Sequence, residues 1–361
     1  MKQQSPLTDA ASLLVRTSLK ILPNEHLVIV DDERSHAMGD AVAEAAERVN
    51  AWVRRVRLDR IATRPLRVLP DSVRDALMDA QASIFLASEI HHEASMRQAI
   101  LHVVRERSLR HAHMPGITER AFWAGVRVDY NELATVGERV RTRMMNARTI
   151  VTESAGGTEL RVELRPGTRW SAQLGVLTPG VWGSLPGGAI YASPEDVEGI
   201  FVADASLGEF FGARAGLLAS KSVRLTIHRG RVVGVDAHGG DEELARDLRA
   251  TLQVGSNSDR VGLVAIGVNY AIERAIGDVS VDQNIPGLHL GIGDPAGKAT
   301  GATWGARTCF AACQTLSRVT VDGVEIIRDG ALAAAFAPRV TGSLTPSGFR
   351  VPMRRSLTPP A

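Results

Sequence analysis

The chain has 361 residues, 44% of them hydrophobic and 4% aromatic, and a net charge of +2. That is enough for two domains with an aliphatic core, and it excludes both a disordered chain and a strongly basic nucleic-acid binder. The opening MKQQSPLTDA lacks the pattern of a signal peptide, and no apolar run approaches the roughly 18 residues that span a bilayer, so a cytoplasmic protein without membrane contact is expected. Basic residues are mostly Arg, interleaved with Asp and Glu; Arg105, Arg107 and Arg110 read as a solvated helix end. Cys309 and Cys313 form no disulfide framework and fit a reducing compartment.

Residues 8–22 read as a helix, and His26–Asp32 as a buried strand. Ser35 is the expected N-cap of a helix with Ala37, Ala41, Ala45 and Val49 on one face. Trp52–Asp59 alternates as a strand with one wet face. Asp71 caps a helix through Val73 and Leu77, Ala82–Ser88 is a strand, His92–Val104 a helix, and RHAHMP a short strand. This alternation predicts an open, mostly parallel α/β sheet. The turn DDERSHAMGD after the first strand has no Gly-rich dinucleotide fingerprint. Asp129 and Glu132 have capping-box spacing ahead of a helix ending near Ala147. From Thr149 the chain is strand-rich, with turns at Gly156-Gly157, Arg229-Gly230 and Asp322-Gly323 and one helix at about 241–252. The expected division is an α/β domain over 1–148, a β-rich α+β domain over 149–340 carrying the pocket, and a Pro- and Arg-rich tail over 341–361.

The stretch Gly277–Gly297, GDVSVDQNIPGLHLGIGDPAG, is the expected chemical centre. His289 alternates with Leu288 and Leu290, as one polar residue on a strand would. Gly287, Gly291 and Gly293 leave room for a ligand or another chain to approach closely. Two further stretches stand with it: SLPGGAIYASPEDVEGIFVADASLG (184–208) and TCFAACQTLSRVTVDGVEIIRDG (308–330).

In order, LPGGAIYASPEDVEGIFVADASLG, AIGVNYAI…GDVSVDQNIPGLHLGIGDP and VTVDG resemble the aminopeptidase T / aminopeptidase S family of metallo-aminopeptidases. RHAHMPGITE, from Arg110, is similar to that family's N-terminal domain. The dihydroxypyridine ring-cleaving dioxygenase, which uses a single iron, is a non-peptidase relative of similar fold. The resemblance implies an aminopeptidase-T-like fold, a homodimer and a metal site in the C-terminal domain. Where the family has glutamate after Pro-Gly-Gly, this chain has Ala189. Where it has glutamate after the glycine opening the second stretch, Gly262 is followed by Leu263. His289 keeps the family's histidine. The His-x-Asp pair falls at or near Cys309 and Ala311, and the Asp-Glu before the histidine strand is Asp282-Gln283.

One histidine cannot hold two metals, which need about five ligands with bridging carboxylates. The expectation is therefore a diverged enzyme without a cofactor, acting on a small amino-acid-derived or peptide-like substrate by hydrolysis, cyclisation or deamination. His289 is the candidate acid–base, oriented by Asp282; Cys309 is a candidate nucleophile and Tyr191 a proton donor. Gly187, Gly188, Gln283 and Asp294 are the candidate substrate contacts. Structural readings compete: His289 as a hydrogen-bonded sheet residue, both cysteines as small buried residues, Asp278 and Asp322 as turn residues. The alternatives are a metal-dependent aminopeptidase or hydrolase with Zn, Co or Fe, a mononuclear-iron ring-cleaving dioxygenase, and a non-catalytic binding subunit. His111 and His113 are a further metal candidate that lacks visible partners.

Overall fold

The computed structural model describes residues 6–339 apart from Ala219 and Gly240. The tail expected over 341–361 lies outside the described residues. Three sheets carry the architecture. The first is parallel, in the order Trp52–Arg57, His26–Asp31, Ala82–Phe85, Arg110–His113, Trp182–Ser184. HLVIV is apolar without alternation because packed elements cover both faces of the strand: Leu27 and Ile29 join one core cluster, Val28 and Val30 another. The fifth strand comes from beyond residue 148, so the first sheet draws on both of the expected domains.

Helix ends follow local chemistry. The opening helix runs Pro6–Leu13 and continues as a π-helix to Ser18. Ser35 stands at the N-cap of His36–Glu47 as expected, but its side chain makes no capping bond there. It serves the 3-10 turn Glu33–Ser35 just ahead, where the Asp32 carboxylate accepts from the Arg34 and Ser35 amides and Ser35 reciprocates. Asp129 accepts from the Asn131 and Glu132 amides at the start of Tyr130–Met144. Arg110 is not part of a helix end: it opens a strand and pairs with Glu25 at 2.6 Å.

Strand order reverses between His26–Asp31 and Ala82–Phe85, the place where open α/β sheets usually take ligands. Here that crevice is filled by the chain itself. Arg64, 8% exposed at its side chain, donates to Asp32 at 2.5 Å, to Glu93 at 2.9 Å and to the Ser88 carbonyl at 2.7 Å. Glu93 is fully buried. Despite burial, hydrogen bonds from Ser88 and Ser35 hold the Asp32 carboxyl below its usual range, and Arg64 with the Leu66 amide does the same for Glu93.

The second sheet has eight antiparallel strands, from Arg231–Ala237 at one edge to Ala331–Leu332 at the other. Its turns carry the expected left-handed residues: Gly157, Arg229-Gly230 and Asp322-Gly323 all have positive φ. The third sheet is antiparallel, in the order Cys309–Ala312, Gly287–Gly293, Val261–Gly267, Ala189–Ala192, Ser171–Gln173. One continuous core joins helices of the N-terminal half to the second and third sheets.

Candidate functional site

The third sheet has two unlike faces, set by the two-residue period of its strands. Ile190, Ala192, Val264, Ile266, Leu288, Leu290, Ile292, Phe310 and Ala312 all enter the main core. The intervening residues form the other face. Tyr191, Ala265 and His289 lie in one cross-strand row; Ala189, Gly267 and Gly287 lie in the next. Leu263, Gly291 and Ala311 make a third row, and Gly293 opposes Cys309. Ser171 and Gln173 extend the face opposite Tyr191 and Ala189. Positions 189, 263, 289, 309 and 311, which the resemblance marks as metal-ligand positions, therefore share this face of one sheet.

Their side chains do not fit a metal. Four of the five are Ala189, Leu263, Cys309 and Ala311, and the fifth is fully engaged. His289 is 1% exposed. Its Nε2 lies 2.9 Å from the Ile285 carbonyl and its Nδ1 3.4 Å from the Gln314 amide. A carbonyl requires a donor and an amide an acceptor, so the ring is the neutral Nε2–H tautomer. Burial lowers its pKa to about 4. Among the described residues, no group of three or more His, Cys, Asp or Glu side chains gathers in metal-binding geometry. Iron or zinc would need several such donors converging.

The room made by the glycines is taken up by the chain itself. A Cβ on Gly267 would lie 1.9 Å from the Ile285 carbonyl oxygen, and one on Gly291 2.9 Å from Leu263 Cβ. Beside this face, Ile272, Ala275, Ile276, Val281 and Ile285 form an apolar cluster with Ala205 and Cys313, and Ala311 packs against it.

Asp282 does not hydrogen-bond His289. It is fully buried, and its carboxylate accepts from the Ile276 amide at 2.9 Å and the Gly277 amide at 3.0 Å. Burial raises its pKa to about 6, against those bonds. Cys313 is buried as expected, whereas Cys309 is exposed. Desolvation, and then the Asp294 charge, raise the Cys309 thiol, which disfavours the thiolate a nucleophile needs. Asp294 shapes its own loop, accepting from Ala296 N at 2.9 Å and Ala306 N at 3.3 Å. Gly187 and Gly188 pack against Gly175 and Asn269, and Gly188 also pairs with the Gln173 carbonyl through its amide. Gln283 is half-buried at the end of a short helix. Asp278 and Asp322 are the turn residues the sequence suggests, bonding the Ser280 amide and the Arg148 and Thr149 amides.

Tyr191 is half-buried beside Ser171 and Gln173 of the neighbouring strand, and Ser171 Oγ donates to the Ala299 carbonyl at 2.9 Å. Desolvation raises the phenol pKa against the lowering influence of Gln173 and Ser171, so it stays a donor at neutral pH. The sequence reading missed Ser171 and Gln173; three residues of strand in a long irregular stretch give no periodic signal.

His111 and His113 lie in the first sheet. Their rings are joined at 3.1 Å, and His111 Nδ1 meets Ser83 Oγ at 2.8 Å. Burial lowers the pKa of each, most strongly that of His111. They form a buried polar chain, and among the described residues no third His, Cys, Asp or Glu gathers with them in metal-binding geometry.

A family model described as NicX, 2,5-dihydroxypyridine 5,6-dioxygenase, matches residues 15–253. The matched stretch ends before the strands that carry positions 263, 289, 309 and 311. No curated protein matches the chain. Two solved structures are similar in fold. The 2,5-dihydroxypyridine dioxygenase of Pseudomonas putida KT2440 has a TM-score of 0.63 at 15% identity, covering 92% of this chain and 99% of its own. Wild-type AmpT from Thermus thermophilus has a TM-score of 0.59 at 18% identity, covering 91% and 98%. The resemblance to aminopeptidase T thus holds for the fold, while the matching family model is that of the dioxygenase relative.

Proposed function

We propose that this chain, which belongs to the NicX family, is a diverged enzyme working without a metal, on a small amino-acid-derived or peptide-like substrate of the kind its aminopeptidase-T-like fold suggests. The observation that carries this is the third-sheet face. Its metal-ligand positions hold Ala189, Leu263, Cys309, Ala311 and a neutral, engaged His289, while Tyr191 stays half-exposed between Ser171 and Gln173. Hydrolysis, cyclisation and deamination each build negative charge on a heteroatom. A preorganised neutral donor stabilises such charge. Tyr191 is that donor, with Ser171 and Gln173 beside it on the neighbouring strand. Cys309 is assigned no part in the step, since desolvation and the Asp294 charge raise its thiol pKa and so disfavour the thiolate. His289 acts as a positioning residue that ties Ile285 and Gln314 to the sheet. A homodimer is part of the same proposal, and sedimentation of the purified chain checks it.

A non-catalytic binding subunit is the second reading. It is favoured by His289 and Asp282, whose polar atoms are spent on backbone partners and leave no free base between them. Melting-temperature screens with amino-acid amides, N-acyl amino acids and dipeptides, with and without EDTA, followed by mass spectrometry of the ligands, separate the two. The enzyme reading expects a chelator-insensitive ligand that is converted, and a Tyr191→Phe variant slowed by about 100-fold with little change in KM. Conversion at the wild-type rate by Tyr191→Phe would remove Tyr191 from the mechanism. Binding without conversion would establish the second reading.

Among the described residues, no helix is long and apolar enough to cross a membrane.

A further inference from the structure

The guanidinium of Arg260 makes no hydrogen bond or ion pair with any described residue, although it is half-buried. Its Cζ lies 4.2 Å from the centre of the Trp304 ring. Arg260 also forms an antiparallel bridge with Arg231, so two arginines stand directly opposite each other. Like charges in that arrangement repel, and a fold without use for them would be expected to separate them. Arg165 adds a third positive charge. Desolvation, then Arg231 and Arg165, lower the Arg260 pKa, and only Asp196 acts in the other direction.

Two of the nearby carboxylates are engaged elsewhere: Asp259 pairs with Arg231 at 2.6 Å and Glu195 with Arg165 at 3.1 Å. Asp196, which accepts from the Val197 amide at 2.8 Å, is the one carboxylate whose charge acts on Arg260, and it makes no ion pair with it. Two hydrogen bonds fix the loop directly after Trp304. Asn257 Nδ2 donates to the Gly305 carbonyl at 3.1 Å, and Ala306 N donates to Asp294 at 3.3 Å. The cation–π contact with the ring uses none of the guanidinium N–H groups, which leaves them free for a bidentate acceptor.

We propose that Arg260, flanked by Arg165 and Arg231 and stacked on Trp304, binds the oxyanion of a small acidic molecule, either a phosphate or a carboxylate group. The fork of a guanidinium matches both groups in geometry and charge. This site stands apart from the reading of Tyr191 and does not depend on it.

The test is titration of the full chain with inorganic phosphate and, separately, citrate at constant ionic strength, followed by calorimetry and tryptophan fluorescence. Saturable binding of at least one anion is expected, and whichever binds more tightly identifies the group. Arg260→Gln should weaken that binding by about tenfold or more, and Arg165→Gln by a few-fold. Arg54→Gln, on an exposed strand of the first sheet, should leave it unchanged. The surface variant Arg165→Gln keeps the test decisive if Arg260→Gln folds poorly. Absence of saturable binding by both anions overturns the proposal. So does Arg260→Gln binding within about twofold of wild type, or an equal loss in Arg54→Gln, which would reduce the effect to overall charge.

Discussion

Replacing Gly267 by alanine should cost about 3 kcal/mol or more of stability, read as a lower denaturant midpoint at unchanged slope. The new Cβ would lie 1.9 Å from the Ile285 oxygen, 2.7 Å from the Ile285 carbonyl carbon and 2.8 Å from the Asn284 carbonyl carbon. All three are backbone atoms, so no side-chain rotation relieves the clash. Moving Ile285 also breaks the 2.9 Å bond to His289 and disturbs the apolar cluster that Ile285 shares with Ile276 and Val281. Gly255→Ala is the matched control. Its nearest non-neighbour atom would be the Arg307 Cδ at 3.6 Å, ordinary van der Waals contact, and its effect should stay within about 0.5 kcal/mol. Equal stability of the two variants would mean that the 285 segment does not rest on this face.

His289 should make the protein acid-sensitive. Its folded pKa, about 4, is below the 6.5 of an unperturbed histidine. The unfolded chain therefore binds more protons in that window, and stability is lost as pH falls from about 6.5 towards 4. The linkage gives a loss of about 2 kcal/mol between pH 7 and pH 5 from this one residue. Asp282 works in the opposite sense. Its folded pKa of about 6 exceeds its usual 3.8, so the folded state binds the extra proton and gains stability as pH falls through 6. That offsets roughly 1 kcal/mol over the same interval. Urea midpoints at pH 7 and pH 5 separate the two groups. His289→Gln should flatten the acid loss, whatever its stability at pH 7, and Asp282→Asn should steepen it. An unchanged pH dependence in His289→Gln would show that the imidazole is not held neutral.

The alternation of helices and strands, with apolar runs such as HLVIV, made the parallel sheet legible. The hairpin turns were equally clear, because Arg229-Gly230 and Asp322-Gly323 carry their own geometry. The resemblance marks positions 189, 263, 289, 309 and 311 one at a time; that they share one face of one sheet comes from the strand pairing. What could not be read was how that face is closed. Glycine beside His289 signals close approach, but the sequence cannot say whether a ligand or the Ile285 carbonyl approaches. The partners of His289 and Asp282 are mostly backbone amides and carbonyls, which carry no residue-type signal. Ser171 and Gln173 sit on a three-residue strand too short to show a period. The strand Trp182–Ser184 joins a sheet more than 60 residues upstream, where local patterning has no reach.

Metal content tests the central claim most directly. The purified chain, equilibrated anaerobically with Fe(II) and separately with Zn(II), is desalted and analysed by elemental mass spectrometry alongside its melting temperature with and without EDTA. The donor set on the third-sheet face predicts less than about 0.1 metal ion per chain and no response to chelator. About one ion or more per chain, lost together with EDTA-sensitive stability in His289→Ala, would contradict it.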